Sequence, residues 1–219
     1  MFKLTNTALG LPLHGYQWNE NEKKYPHVLI LGGVHGDEPE GVVCARGLLE
    51  CWREHFPYKL RMTLIPEFNP EGVLLKTRGN SNKVDLNRNL ATKDWTRESA
   101  TPRYYPGPSA LSEKENQALV NFIDSEKPAV IFSLHSWKPM LNINGDLPEA
   151  KIIADRTGYV IEPDIGYPTP GSLGTYAGHE RHIPTLTYEI ERDSSFDQIL
   201  RIHVPAICEA LKISETRKL

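Results

Sequence analysis

Apolar positions in this chain come in two textures, unbroken runs and helical stripes. Val28–Leu31 is wholly apolar and predicts a buried strand. Leu60-Arg61-Met62-Thr63-Leu64-Ile65 alternates like a strand, and Pro66 ends it. Ala129–Leu134 and Pro184–Ile190 complete the set of four predicted strands. Helical spacing fills the gaps. Pro39 opens a helix whose apolar positions include Val42, Val43, Ala45, Leu48, Leu49 and Trp52. Ser112-Glu113-Lys114-Glu115 has the form of a capping box and opens a helix through Asp124. Further helices are predicted over Glu149–Thr157, from Ser172 to about His182, and over Phe196–Leu211 with a kink at Pro205. Residues 10–26 form a lead-in with an edge hairpin around His14–Trp18. Strands apolar on both faces, alternating with helices, predict an α/β fold: a three-layer α/β/α sandwich around a central mixed, mostly parallel sheet. The expected organisation is one domain over residues 1–219.

In such sheets, ligands bind beyond the carboxyl ends of the strands. Three chemically capable side chains fall at or near those ends: His35, His135 and Glu189. The span from Pro66 to Pro108 is instead rich in turns, and a loop-rich stretch of that length inside a compact domain points to function.

The stretch Leu29-Ile30-Leu31-Gly32-Gly33-Val34-His35-Gly36-Asp37-Glu38 runs a strand into a tight turn and then a helix. It brings an imidazole and a carboxylate toward one point, which is half of a zinc site. Asp37 between them is the expected helix N-cap. His135, directly after the Ala129–Leu134 run, would be a third ligand. Two His and one Glu leave a fourth position open, the pattern of a catalytic rather than a structural zinc. Asp85-Leu86-Asn87-Arg88-Asn89 reads in two ways. It is a turn or helix cap, or a corner where an Asn amide and an Arg fork hold a carboxylate. Arg78 would be a second cation there. Glu189, an acid in a β-rich apolar run, suits a general base. By alternation Thr187, Glu189 and Glu191 share a face, so Glu191 competes for that role.

Composition narrows the partners. Hydrophobic residues make up 39% and charged residues 24%, with a net charge of -3. No broad basic face for nucleic acid or anionic lipid is implied, and no stretch approaches a membrane span. Met1–Thr7 carries no apolar run long enough for a signal peptide, so a cytoplasmic location is expected. Cys44 and Cys51 lie seven residues apart on one helix, about 10 Å between Cα atoms and too far for a disulfide. Cys208 lies on another helix, and three reduced thiols fit a reducing compartment. His179 and His182 read as a solvated helix face. Asp146 and Glu149 read as substrate-ammonium partners or as helix caps. Trp95, Tyr104 and Tyr105 either line the cleft or cover it.

Taken in order, His35-x-x-Glu38, Arg78, Asp85-Leu86-Asn87-Arg88-Asn89, His135-Ser136 and Thr187-Tyr188-Glu189-Ile190 resemble the zinc carboxypeptidase family. Gly166-Tyr167-Pro168-Thr169-Pro170-Gly171-Ser172 and Pro106-Gly107-Pro108-Ser109 resemble its bacterial murein peptide amidase branch, which cleaves the γ-D-glutamyl–meso-diaminopimelate bond of cell-wall peptides. The chain's length and the absence of a signal or pro-segment agree with that branch. The resemblance implies a metallopeptidase domain with one zinc ion on His35, Glu38 and His135, and Glu189 as base. It also implies Arg78 at the oxyanion, Asn87 and Arg88 on the substrate carboxylate, Asp85 as the partner of His35, and Tyr167 as a mobile substrate cover. The expected partner is a small peptide. The rivals are a zinc acylase of the aspartoacylase or succinylglutamate desuccinylase kind, whose added β domain has no room here, and a non-catalytic peptide-binding module.

Overall fold

The computed structural model describes residues 1–218. Eight strands form one sheet: β1 (Phe2–Asn6), β2 (Pro12–Trp18), β3 (His27–Leu31), β4 (Arg61–Ile65), β5 (Val130–Trp137), β6 (Met140–Asn144), β7 (Val160–Glu162) and β8 (Thr185–Glu191). Their spatial order is β1-β2-β4-β3-β5-β8-β6-β7. The β4-β3-β5-β8 centre is parallel, as is β6 with β7, while the β1–β2, β2–β4 and β6–β8 pairs are antiparallel. The helices are α1 (Pro39–Cys51), α2 (Pro70–Leu75), α3 (Lys114–Glu126), α4 (Pro148–Thr157), the one-turn α5 (Phe196–Gln198) and α6 (Val204–Ser214).

Alternation in the central strands builds two apolar layers. Val28 and Ile30 of β3, Val130, Phe132 and Leu134 of β5, and Leu186, Tyr188 and Ile190 of β8 point to one face, under α1, α4 and α6. Leu29, Leu31 and Ile131 point to the other, beneath α3 and a π-helical segment, Gly174–His179. On β5 and β8 this second face changes character toward the strand ends. Ser133, His135, Thr187 and Glu189 replace aliphatic residues while remaining buried. A polar strip is thus laid at the carboxyl edge of an apolar sheet.

Several expectations are revised. The edge hairpin joins β1 to β2 rather than lying within residues 10–26. Strands β6 and β7 and helix α2 fall in stretches with no clean period. The capping box at Ser112 does not form. Glu113 is the N-cap position and makes no side-chain cap bond. Its carboxylate instead accepts from Asn80 and Asn82, and Ser112 Oγ donates to it. A capping box is present at Ser195 with Gln198, opening α5. Ahead of Pro205 the chain winds as a π-turn over Ile199–His203, which absorbs the expected kink. The Ser172–His182 helix is π-wound in its middle, another local unwinding. Cys44, Cys51 and Cys208 are free thiols.

Candidate active site

The turn after β3 places the first two candidate ligands. Gly33 has φ +62°, and Gly36 lies against α2 so closely that a Cβ would come within 1.8 Å of the Gly72 carbonyl carbon. Only glycine permits that approach. His35 and Glu38 therefore leave the turn facing the same way. Glu38 takes the N-cap position of α1 without capping it, and Asp37 is not the cap. Asp37 Oδ2 instead accepts from Arg103 Nη2 at 2.8 Å, while its Oδ1 is buried with no partner among the described residues.

His135 comes from within β5, one residue row beyond Ser133, and is register partner to Glu189 on β8. His35 Nδ1 lies 3.0 Å from Glu38 Oε1, His135 Nδ1 lies 2.9 Å from Glu38 Oε2, and the two Nδ1 atoms are 3.1 Å apart. Among the described residues these three form the one cluster of His, Cys, Asp and Glu groups with metal-ligand spacing.

The outer nitrogens decide what the inner ones offer. His35 Nε2 faces Asp85 Oδ1 at 3.0 Å, and an ionised carboxylate only accepts. The ring proton therefore sits on Nε2 and leaves Nδ1 as a lone pair. His135 Nε2 meets Ser133 Oγ at 2.9 Å, which allows the same tautomer. With both rings in that tautomer, two lone pairs and a carboxylate converge with no proton between them. That arrangement calls for a cation, and the N,N,O donor set suits zinc.

Charges around the cluster are graded. Burial alone would raise the Asp85 carboxyl. The neighbouring His35 and Arg78 overcome this and hold it well below the usual carboxylate range. Glu38 is likewise held low against its burial by the two imidazoles. Glu189 differs. Burial pushes its carboxyl up to about 7, with the nearby His135 opposing and the Glu38 charge adding to the rise. Its Oε2 is buried and has no partner among the described residues. A cation held between the ligands would draw that carboxyl back down. Glu191 is exposed at the strand end, outside the cleft lining, so the two acids on that face are not equivalent.

The cleft holds about 800 Å³ and gathers the candidates from distant segments. Arg78 Nε donates to Asp85 Oδ2 at 2.8 Å and its Nη1 to Glu38 Oε1 at 3.1 Å. Asp85 accepts from the Asn87 backbone N–H at 2.9 Å in the Leu86–Arg88 turn, as the turn reading expects, and Asn87 and Arg88 both line the cleft. Asn87 Oδ1 accepts from the Leu173 backbone N–H at 2.8 Å, and Asn87 lines the cleft. Arg88 is 6% exposed and forms no ion pair among the described residues; its Nη1 donates to its neighbour's Asn87 carbonyl at 2.6 Å. Tyr167 lines the outer wall, 37% exposed, edge-on to Trp137 with 5.7 Å between centroids.

Other candidates fall elsewhere or gain new roles. Glu149 is buried against Arg217 and Ser214, away from the cleft, and Asp146 is exposed. His179 is exposed on the cleft rim and His182 is exposed outside it. Of the loop aromatics, Tyr104 lines the cleft and Trp95 packs near Gly171. Three cleft residues carry no motif signal. Arg192 donates to the Asp37 and Ser136 carbonyls at 2.9 and 3.0 Å and lies 3.6 Å from Glu38 Oε1. Asn142 and Asn144 on β6 extend the polar strip to the far side of β8.

Residues 1–159 match the zinc carboxypeptidase family. The chain belongs to that family. His35, Glu38, Arg78, the Asp85–Asn89 segment and His135 lie within the match, and Glu189 lies beyond it. This member is 30% identical over 196 residues to murein peptide amidase A of Vibrio campbellii, covering 84% of this chain and 77% of that one. It is 31% identical over 178 residues to murein peptide amidase A of Escherichia coli K12, covering 76% and 72%. The solved murein-tripeptide amidase of Escherichia coli O157 superposes with a TM-score of 0.78 at 26% identity over 96% of this chain and 91% of that one. Carboxypeptidase A of Helicoverpa armigera gives 0.78 at 16% identity over 97% and 66%, a likeness of fold alone. Family membership makes the protein a peptidase-type hydrolase, and the expected sandwich is the family's fold.

Proposed function

We propose that this protein hydrolyses murein peptides at the γ-D-glutamyl–meso-diaminopimelate bond, as a single zinc-dependent catalytic domain. The observation that carries a carboxypeptidase-like reaction is Arg88, a buried cation that forms no ion pair among the described residues, beside a His-Glu-His cluster. A buried guanidinium of that kind is an anion site. The choice of peptide follows the relatives, which are named for murein peptides.

One zinc ion on His35 Nδ1, Glu38 and His135 Nδ1 would supply Lewis acidity toward the scissile carbonyl and the attacking water. Asp85 and Ser133 hold the two imidazoles in the donor tautomer. Glu189 removes the proton of the attacking water at its free Oε2 and later delivers it to the leaving amine. Arg78, fixed by Asp85 and Glu38, stabilises the developing oxyanion. Arg88 and the Asn87 amide hold the carboxylate of the leaving residue and set the register of the bond. Tyr167 covers the substrate.

Mass spectrometry of the murein tripeptide incubated with the zinc-loaded protein tests this. Release of diaminopimelate is the expected outcome. An intact tripeptide together with hydrolysed N-acyl amino acids would replace the peptide assignment with an acylase one.

A further inference from the structure

The loop between the Leu86–Arg88 turn and α3 carries one aromatic ring to the arginines of the cleft. Tyr104 closes the short turn Pro102–Tyr104. Its ring centroid lies 5.0 Å from Arg78 Cζ and 5.5 Å from Arg88 Cζ. The turn is fastened on both sides of that ring. Arg103 is paired to Asp37, next to the ligand Glu38, and the Asp85 backbone N–H donates to the Tyr105 carbonyl at 2.8 Å. The ring's place is therefore tied to both the ligand turn and the Asp85–Asn89 corner.

The two arginines depend on it unequally. Arg78 is gripped by two carboxylates, Asp85 and Glu38. Among the described residues Arg88 forms no ion pair, and its one hydrogen bond as a side-chain donor goes to a backbone carbonyl. A desolvated guanidinium gains most from the negative face of an aromatic ring when nothing else balances it. Removing the ring should loosen Arg88 and leave Arg78 in place.

We propose that Tyr104 is a positioning residue whose ring face holds the Arg88 guanidinium in register with Arg78. The inference rests on the carboxylate role given to Arg88 above. Its consequence is a split: substrate capture depends on Tyr104, while the chemistry around Arg78 and Glu189 does not.

The test compares wild type, Tyr104→Phe and Tyr104→Leu as zinc-loaded full chains acting on the murein tripeptide. Phenylalanine keeps the π face, and leucine keeps much of the bulk without it. Tyr104→Phe should hold KM within about twofold of wild type, and Tyr104→Leu should raise it about tenfold with kcat changed by less than about threefold. A leucine variant with wild-type KM overturns the proposal. So does a phenylalanine variant as impaired as leucine, which would move the role to the hydroxyl. A second readout needs no substrate. The Arg88 Nε–H signal in nitrogen-15 NMR, assigned with Arg88→Lys, should be ring-shifted in wild type and Tyr104→Phe and revert in Tyr104→Leu. An Arg88 signal indifferent to leucine overturns the proposal even where the tripeptide proves not to be the substrate.

Discussion

Replacing Asp85 by Asn removes one oxygen and a charge from a fully buried site that has three donors pointing at it. Oδ1 accepts from His35 Nε2 and the Asn87 N–H, and Oδ2 accepts from Arg78 Nε. An amide cannot reproduce this, because one of its two positions is itself a donor. If the NH₂ faces Arg78, two donors oppose each other and the guanidinium loses its ion pair. If it faces His35, the imidazole must shift its proton to Nδ1, the atom required as a metal ligand. A buried donor left without a partner costs about 1–3 kcal/mol, and a broken buried ion pair about 3–5 kcal/mol. Partners of metal-bound histidines typically change affinity by about 10–100-fold, or roughly 1.4–2.7 kcal/mol. The expected result for Asp85→Asn is zinc binding weakened by that factor in competition with a fluorescent chelator, with a lower melting temperature for the zinc-free protein. Ser133→Ala, which removes one neutral partner of His135, should weaken zinc by no more than about fivefold. An Asp85→Asn protein that binds zinc within about twofold of wild type would refute the tautomer argument.

Glu189→Gln should keep zinc by elemental analysis and lose about 10²–10⁴-fold in kcat; near-normal turnover would remove Glu189 from the chemistry. Gly36→Ala should cost at least about 3 kcal/mol in urea unfolding and weaken zinc, since its Cβ meets Gly72 backbone, whereas Gly158→Ala at φ +73° faces open space and should cost roughly 1 kcal/mol and leave zinc binding intact. His27 lies between Thr63 Oγ1 and the Glu126 carbonyl, and burial, aided by the Arg61 charge, lowers it to about 4. As pH falls below about 6.5 the unfolded chain takes up a proton that the folded state refuses until about 4, so stability present above this window is lost across it, by roughly 3 kcal/mol. Urea midpoints at stepped pH should show this slope, and His27→Gln should flatten it.

The central sheet is legible in the sequence because its strands are short, mostly apolar and flanked by glycine or proline, and burial on both faces leaves such runs few alternatives. The Asp85–Asn89 corner was legible for a different reason, since Asp and Asn build the turn with the same groups that organise the site. Strands β6 and β7 were not, because Lys138-Pro139 interrupts the first approach and Val160–Glu162 is exposed, so neither shows an alternating face. The capping box failed because Glu113 is drawn to the buried Asn80 amide, a contact between residues far apart in sequence.

Sequence alone nominated the residue types with the chemistry for the site and the order in which the chain presents them. Local patterning also put His35 and Glu38 on one turn. What it left open was strand order and register across the sheet. Glu189 is distinguished from Glu191 only by parallel pairing, which sets Glu189 beside His135 in the buried row and leaves Glu191 at an exposed strand end. Asp37 looks like an N-cap in sequence but pairs with Arg103, which arrives from a loop with no periodic signal. The unequal support of Arg78 and Arg88 appears only once three separate segments close around them. Spacing along a chain reports local geometry, and a site built across strands is decided by their register.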